Sequence, residues 1–298
     1  MQSKTRRELL AMAAMGAVLR TRSDAQQSAP AIVYRDYSRC LPDYLRDLAE
    51  RAYQSRNRAI AGLTTPEAVR DRQQWVGETF WNLIGGKPER TPLNARTVGS
   101  FERPRYRVEK VVYESQPNFH ISGNLYIPTV GRPPFPGVLY QMGHTTNGKG
   151  DATYQLCCQT LAGLGYLVLG FDPMGQGERT YYPGRTPSRS RLGADEEHTF
   201  PARQMLLKGL STTWVQTWDA VRSLDYLASH PLVDPKRLGA TGQSGGGTTT
   251  MFLSAVDDRL AAAVVSSGNT FSMGDQYGGT SGASQATERR DPKRRTRR

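Results

Sequence analysis

Short apolar runs alternate with longer amphipathic ones from about residue 106 to residue 266. This alternation predicts an α/β fold built on a mostly parallel sheet. Arg107 to Tyr113 and Ile121 to Ile127 alternate apolar and polar positions and predict an antiparallel strand pair. Gly137 to Gly143 and Tyr166 to Phe171 are nearly continuous apolar runs, the pattern of buried strands. Thr153 to Leu164, between them, predicts a helix closed by Gly165. Residues 180–200 are polar, rich in Gly and Pro, and without period, so a long loop or lid is expected. Gln204 to Ser229 predicts one long helix with Trp214, Trp218, Val221, Leu224 and Ala228 as its core stripe. Leu238 to Thr241 and Ala261 to Ser266 predict two further strands, with a helix from Gly247 to Val256 between them.

Ahead of the sheet, Leu45, Leu48, Ala52 and Ile60 predict an amphipathic helix over Pro42 to Leu63. Thr65-Pro66-Glu67 opens a second helix, with proline tolerated in the first turn. Val69, Val76, Phe80, Leu83 and Ile84 share one of its faces, and Gly85-Gly86 ends it. The pair is expected to pack against the main domain. Residues 26–36 read as a polar linker. The first 25 residues read as an export signal: Thr5-Arg6-Arg7-Glu8-Leu9-Leu10 is twin-arginine-like, Leu9 to Leu19 is apolar, and Ser23-Asp24-Ala25 could precede cleavage. That run is too short to span a bilayer as an ordinary helix. The expectation is an exported, periplasmic or extracellular protein with the export machinery as a partner. The alternative is an N-terminal helix that stays attached. Residues 274–298 hold one aromatic residue, Tyr277, and no Leu, Ile, Val or Phe, which predicts disorder. The layout is therefore a signal segment (1–25), a linker and helical arm (26–104), an α/β domain (105–270) and a basic tail (271–298).

The net charge of +12 alters this picture little once it is located. Residues 287–298 carry +5 and the first 24 residues +3, leaving +4 for the body. A charge argument for nucleic acid rests on the tail alone, and the tail lacks interleaved aromatics. No nucleic-acid partner is expected. Cys40, Cys157 and Cys158 are too few for a disulfide framework, and the adjacent pair falls in an apolar helical stretch. Core packing is the reading for that pair; a vicinal disulfide or a metal site is the alternative.

Gly242-Gln243-Ser244-Gly245-Gly246 sits between a predicted strand and a predicted helix, which is the context of a nucleophile elbow. Ser244 must occupy a sharp, strained turn, and side chains at 242 and 246 would crowd it. The helix that follows points N–H groups at the place where an oxyanion forms. Two other loops lie at the same edge of the expected sheet. One is Gly143-His144-Thr145-Thr146-Asn147-Gly148, expected to complete an oxyanion hole with Gly245 through the His144–Thr145 region. The other is Asp172-Pro173-Met174-Gly175-Gln176-Gly177-Glu178-Arg179. Asp172 either fixes that turn or meets substrate. Glu178 and Arg179 either pair with each other or reach the pocket. Gln243, Gln176 and His198 complete the pocket candidates.

Taken with Phe80-Trp81, Met142-Gly143-His144 and Glu197-His198-Thr199, these motifs make residues 40–270 similar to the bacterial acetyl xylan esterase-like branch of the α/β-hydrolase superfamily. The resemblance implies an α/β-hydrolase fold and a serine carboxylesterase acting on acetylated or otherwise esterified sugars. It implies no metal and no cofactor. The rival readings are a prolyl-peptidase-like hydrolase and a non-catalytic binding protein using the basic tail. The sequence gives no oligomeric state.

One departure stands out. In this superfamily the acid and then the histidine follow the nucleophile. The four histidines here, His120, His144, His198 and His230, all precede Ser244. His198 is the one stand-in base on offer. His230 is expected at a helix end, and Asp257-Asp258 at the end of the elbow helix. Losing a triad histidine typically costs on the order of 10⁶ in turnover. The expectation is a chain cut short after the elbow and nearly inactive as it stands.

Overall fold

The computed structural model describes residues 37–38, 40–185 and 190–268. The expected signal, linker and basic tail lie outside the described residues. The chain divides into two units, residues 1–44 and 45–298. Of the first unit, Tyr37, Ser38 and the opening of helix α1 (Cys40–Ala61) are described, and α1 buries no residue.

In the second unit, α2 (Pro66–Ile84) starts where Thr65 accepts a hydrogen bond from the Ala68 N–H at 3.2 Å. It ends at Gly85 and Gly86, both at positive φ. Seven strands follow: β1 (Arg96–Arg103), β2 (Tyr106–Gln116), β3 (Phe119–Pro128), β4 (Phe135–Gln141), β5 (Leu167–Phe171), β6 (Val233–Gln243) and β7 (Leu260–Ser266). Their spatial order is β1-β2-β3-β5-β4-β6-β7. β1, β2 and β3 form an antiparallel meander, and β3 joins β5 antiparallel. From β5 outward the sheet is parallel. The chain passes from β4 to β5 and then back across β4 to β6. Direction therefore reverses beside β4, where α/β folds open a crevice at the strands' C-terminal ends.

Helices α3 (Ala152–Gly163), α4 (Ala194–Leu206), α5 (Thr212–Ser229) and α6 (Gly245–Val256) complete the unit. Alternation along the strands divides the core between the two sheet faces. Val111, Tyr113, Ile121, Leu125, Leu139, Leu167 and Leu169 pack with Trp81 of α2, Trp218, Val221 and Leu224 of α5, and Leu253 of α6. Val108, Tyr126, Tyr140 and Val168 pack with Tyr154, Cys158 and Ala162 of α3 on the other face. Cys157 and Cys158 are free thiols, and Cys158 is fully buried in that second core. Trp218 anchors the larger core: it meets Trp81 edge-on at 6.0 Å and donates its indole N–H to the Ser115 carbonyl at 2.9 Å.

Four points differ from the expectations. The long helix over Gln204 to Ser229 is two helices, α4 and α5. Gly209 at φ 69° turns the chain between them, and the Ser211 side chain accepts the Trp214 N–H to start the second. The expected loop over 180–200 turns helical at Ala194, where Asp195, Glu196 and Glu197 place negative charge in the first turn. Glu196 also accepts the Gly193 N–H at 2.9 Å. Finally, β1 adds a strand that has no apolar period to announce it, since nearly all its residues are exposed. Pairing with β2 creates it. In α2, Trp81 is buried, whereas Leu83 of the expected apolar face is 80% exposed.

Candidate active site

β6 ends at Gln243, α6 begins at Gly245, and Ser244 stands between them at φ 57°, ψ −119°. A β-carbon at this φ is strained, so the turn must be held from outside. On one side, the Ser244 N–H donates to the Ser266 carbonyl of β7 at 2.9 Å, and its carbonyl accepts the Thr248 N–H at 3.0 Å. On the other, the elbow presses against the end of β4. A β-carbon at Gly242 would lie 2.5 Å from the Gln141 carbonyl oxygen, and one at Gly246 would collide with that same oxygen. Side-chain bonds lock the junction: the Gln141 amide donates to Thr250 Oγ1 at 3.0 Å, and the Tyr154 hydroxyl to Gln243 Oε1 at 3.0 Å. Ser244 itself is half-buried. The first N–H groups of α6 have no partner within the helix and face its N-terminal end.

The loop after β4 brings His144 over the elbow. A β-carbon on Gly245 would stand 2.9 Å from His144 Cε1 and 3.0 Å from its Nδ1. Thr145 donates its hydroxyl to Asp151 at 3.1 Å, which ties the loop to the start of α3. His144 and His198 lie edge to face with ring centroids 5.1 Å apart, and His144 Nε2 is 3.7 Å from Asp195 Oδ1. Burial first, and the neighbouring His144 second, pushes the His198 imidazole down to about 4. That ring is neutral at physiological pH.

Asp172 fixes the third loop rather than facing outward. It is fully buried and accepts from the Lys149 N–H at 2.7 Å, from Ser122 Oγ at 2.8 Å and from the Glu178 N–H at 3.1 Å. Lys149 Nζ lies 2.5 Å from both Asp172 Oδ2 and Glu178 Oε2. The Lys149 ammonium, through its hydrogen bond and charge, lowers the Glu178 carboxyl from its ordinary value. Gln176 donates its amide to the Gly143 carbonyl at 2.9 Å, so the two loops are stitched together below His144. Glu178 and Arg179 do not pair with each other. Arg179 is buried, bonded to Asp219 at 2.8 Å, and lies 5.1 Å over the Phe119 ring.

The sequence motifs thus meet at one end of the sheet: Ser244, Gly245, His144 and His198 form a continuous set, with Thr145, Gln176 and Asp172 holding its floor. Lys149, Asp195 and Tyr154 were not legible as members. Lys149 stands in the Gly-rich loop and Asp195 among acidic neighbours, and only the fold shows their partners. His230 caps the end of α5, as expected, and Asp257 ends α6, where it bonds Arg259. His120 is half-exposed, 3.3 Å from Glu114.

A strand order of this kind with a serine elbow after β6 defines the α/β-hydrolase fold. A family model described as acetyl xylan esterase (AXE1) matches residues 79–268, and the chain belongs to that family. YtaP of Bacillus subtilis (strain 168), a hydrolase by name, is 30% identical over 197 residues, 62% of this chain and 60% of that one. Protein BF1801 of Bacteroides fragilis NCTC 9343, described as an acetyl xylan esterase, superposes with a TM-score of 0.58 at 18% identity. The match covers 67% of this chain and 53% of that chain. A glucuronoyl esterase from Solibacter usitatus shares the fold at a TM-score of 0.50 and 17% identity, over 70% of this chain and 61% of that one. The chain therefore spans little more than half the length of these relatives.

Two outcomes follow from the site's electrostatics. Asp172→Asn leaves the buried Lys149 ammonium with only the exposed Glu178 carboxylate as its charge partner and should cost up to about 3 kcal/mol. Urea denaturation measures it. A loss within experimental scatter would show that Asp172 does not hold the loop. His198 has a folded pKa of about 4 against an ordinary 6.5. Between those values the unfolded chain binds a proton that the native state refuses. The stability from neutral His198 is thus complete above pH 6.5 and is lost as pH falls toward 4. Wild type should lose stability relative to His198→Gln between pH 7 and pH 4.5. A constant difference across that range would contradict the assignment.

Proposed function

We propose that this chain carries the nucleophile and oxyanion hole of a serine carboxylic-ester hydrolase that deacetylates esterified carbohydrate. The observation that carries the reading is Ser244 at φ 57° on a strand-to-helix turn, with Gly245 beside it and the His144 loop folded over both. Ser244 Oγ attacks the ester carbonyl, and a tetrahedral oxyanion forms. The Gly245 N–H and a backbone N–H of the His144–Thr145 loop face it. Each such donor typically contributes 10²–10³ in turnover. The intermediate collapses, the departing alkoxide takes up the proton that Ser244 Oγ gives up and leaves as the alcohol, and water then adds to the acyl-serine, giving the free acid and returning a proton to Ser244 Oγ. Membership of the acetyl xylan esterase family supports the carbohydrate ester as substrate, and none of these steps calls for a metal or cofactor. No histidine follows Ser244 in this sequence, so no base is assigned.

In a chain extended to carry a triad acid and histidine after the elbow, a fluorophosphonate probe should label Ser244, and Ser244→Ala should abolish both the label and acetate release from p-nitrophenyl acetate and acetylated xylo-oligosaccharides. Equal labelling of the alanine variant would end the reading. Release from peptide amides instead of esters would move the substrate class.

The N-terminal segment belongs to the same proposal as a twin-arginine export signal, on the strength of Arg6-Arg7 and the apolar run to Leu19. Fused to a reporter that folds before export, residues 1–25 should direct it across the inner membrane. Arg6→Lys with Arg7→Lys should stop it. Export of the doubly substituted signal at the original rate would refute the assignment.

A further inference from the structure

The pairing between β4 and β6 runs as far as Gln141 and Gly242. Just beyond it, the chain leaves β4 for the His144 loop and leaves β6 for the elbow. Gly143, which opens that loop, is wedged against the residue before the nucleophile. A β-carbon on Gly143 would stand 2.5 Å from the Gln243 carbonyl oxygen and closer still to the Tyr154 hydroxyl oxygen. Tyr154, on α3, is 7% exposed, and its ring packs against Tyr140 with centroids 6.0 Å apart. Its hydroxyl donates to Gln243 Oε1 at 3.0 Å. Burial raises the Tyr154 pKa from its ordinary value, and the Gly143 backbone N–H, hydrogen-bonded to the same oxygen, opposes that rise. Gln176 holds the Gly143 carbonyl from the other side at 2.9 Å. One phenol oxygen thus joins the residue before His144 to the residue before Ser244.

We propose that Tyr154 is the positioning residue of the oxyanion hole: its hydroxyl fixes the spacing between the Gly245 donor on the elbow and the donor of the His144–Thr145 loop. This deepens the hydrolase reading and rests on it. The two donors come from separate segments of the chain, and they stabilise a developing charge only when both aim at one oxygen. A misplacement of about 1 Å can cost about 10²-fold in rate. The strand ladder sets the register up to Gln141 and Gly242. Past that point the Tyr154 hydroxyl carries it onward. Tyr154 acts through Gly143 and Gln243 rather than on the ester itself.

Tyr154→Phe removes the hydroxyl and keeps the ring that packs on Tyr140. In the full chain as it stands, labelled with ¹⁵N, the Gly143 amide of this variant should exchange with deuterium about tenfold faster, while the β4 and β5 amides keep their rates. In the chain extended to carry a triad acid and histidine, kcat for p-nitrophenyl acetate should fall about tenfold, with KM within about twofold of wild type. The rate ratio between this ester and its thiono analogue should fall as well. Sulfur accepts hydrogen bonds weakly, so a well-formed hole favours the oxygen ester and a displaced one does so less. Gln243→Met removes the acceptor from the other side and should reproduce these effects. The double variant should lose no more than either single one. Unchanged Gly143 exchange, an unchanged kcat, or a fall in kcat at a constant ester-to-thionoester ratio would each overturn the role. Ser244 labelling of the extended wild type is read separately, so failure of the nucleophile reading and failure of the Tyr154 clamp are different results.

Discussion

The Gln141 carbonyl oxygen at the end of β4 lies where a β-carbon on Gly246 would stand. That single close approach sets much else. It lets α6 start directly against the neighbouring strand, and it forces the turn before it to be tight. The same crowding bars a side chain at Gly242. Ser244 is the residue left between them, and it takes the strained backbone. The strain, of order 1–3 kcal/mol for such a residue, is held by a hydrogen bond to β7 and by the Gln141–Thr250 and Tyr154–Gln243 side-chain bonds. Sheet, helix and α3 thus all converge on one serine.

A second constraint organises the loops over it. Asp172 is a carboxylate in the interior, and a buried charge is tolerable only when it is paired and hydrogen-bonded. Backbone N–H groups of two different loops, a serine hydroxyl and the Lys149 ammonium satisfy it. Because both loops answer to one carboxylate, the His144 loop cannot shift without disturbing the turn that seats α4. The His144 loop and the His198-bearing helix are one mechanical unit, although about fifty residues separate them in sequence. Pre-organisation of this kind is what lets backbone donors stabilise charge without reorganising during the reaction.

What the sequence made legible was local. The β4, β5 and β6 strands and the elbow announce themselves through unbroken apolar runs and through glycines on both sides of a serine. The Trp218, Val221, Leu224 stripe of α5 does so through its period, and Trp218 is indeed the centre of the larger core. What was missed depends on partners far away in sequence. β1 is polar and exists because β2 offers an edge. The break between α4 and α5 lies at a glycine inside a pattern that reads as continuous. Asp172 had two readings of equal standing until the fold supplied Lys149, 23 residues earlier. Glu178 and Arg179, adjacent in sequence, point to different partners, Lys149 and Asp219.

His198 is the clearest case of structure altering a chemical role. From sequence it is the stand-in base for Ser244. In the fold, burial and the His144 ring beside it hold its pKa near 4. A general base works best when its pKa lies near the operating pH. At neutral pH a group titrating near 4 is deprotonated, yet it accepts a serine proton only weakly. The same environment that spoils His198 as a proton acceptor makes it a stable neutral ring with fixed donor and acceptor positions. His144, half-exposed and within ion-pair distance of Asp195, lies in a wetter setting over the elbow. The two histidines therefore differ by environment: His144 lies half-exposed against Gly245, and His198 is buried behind it.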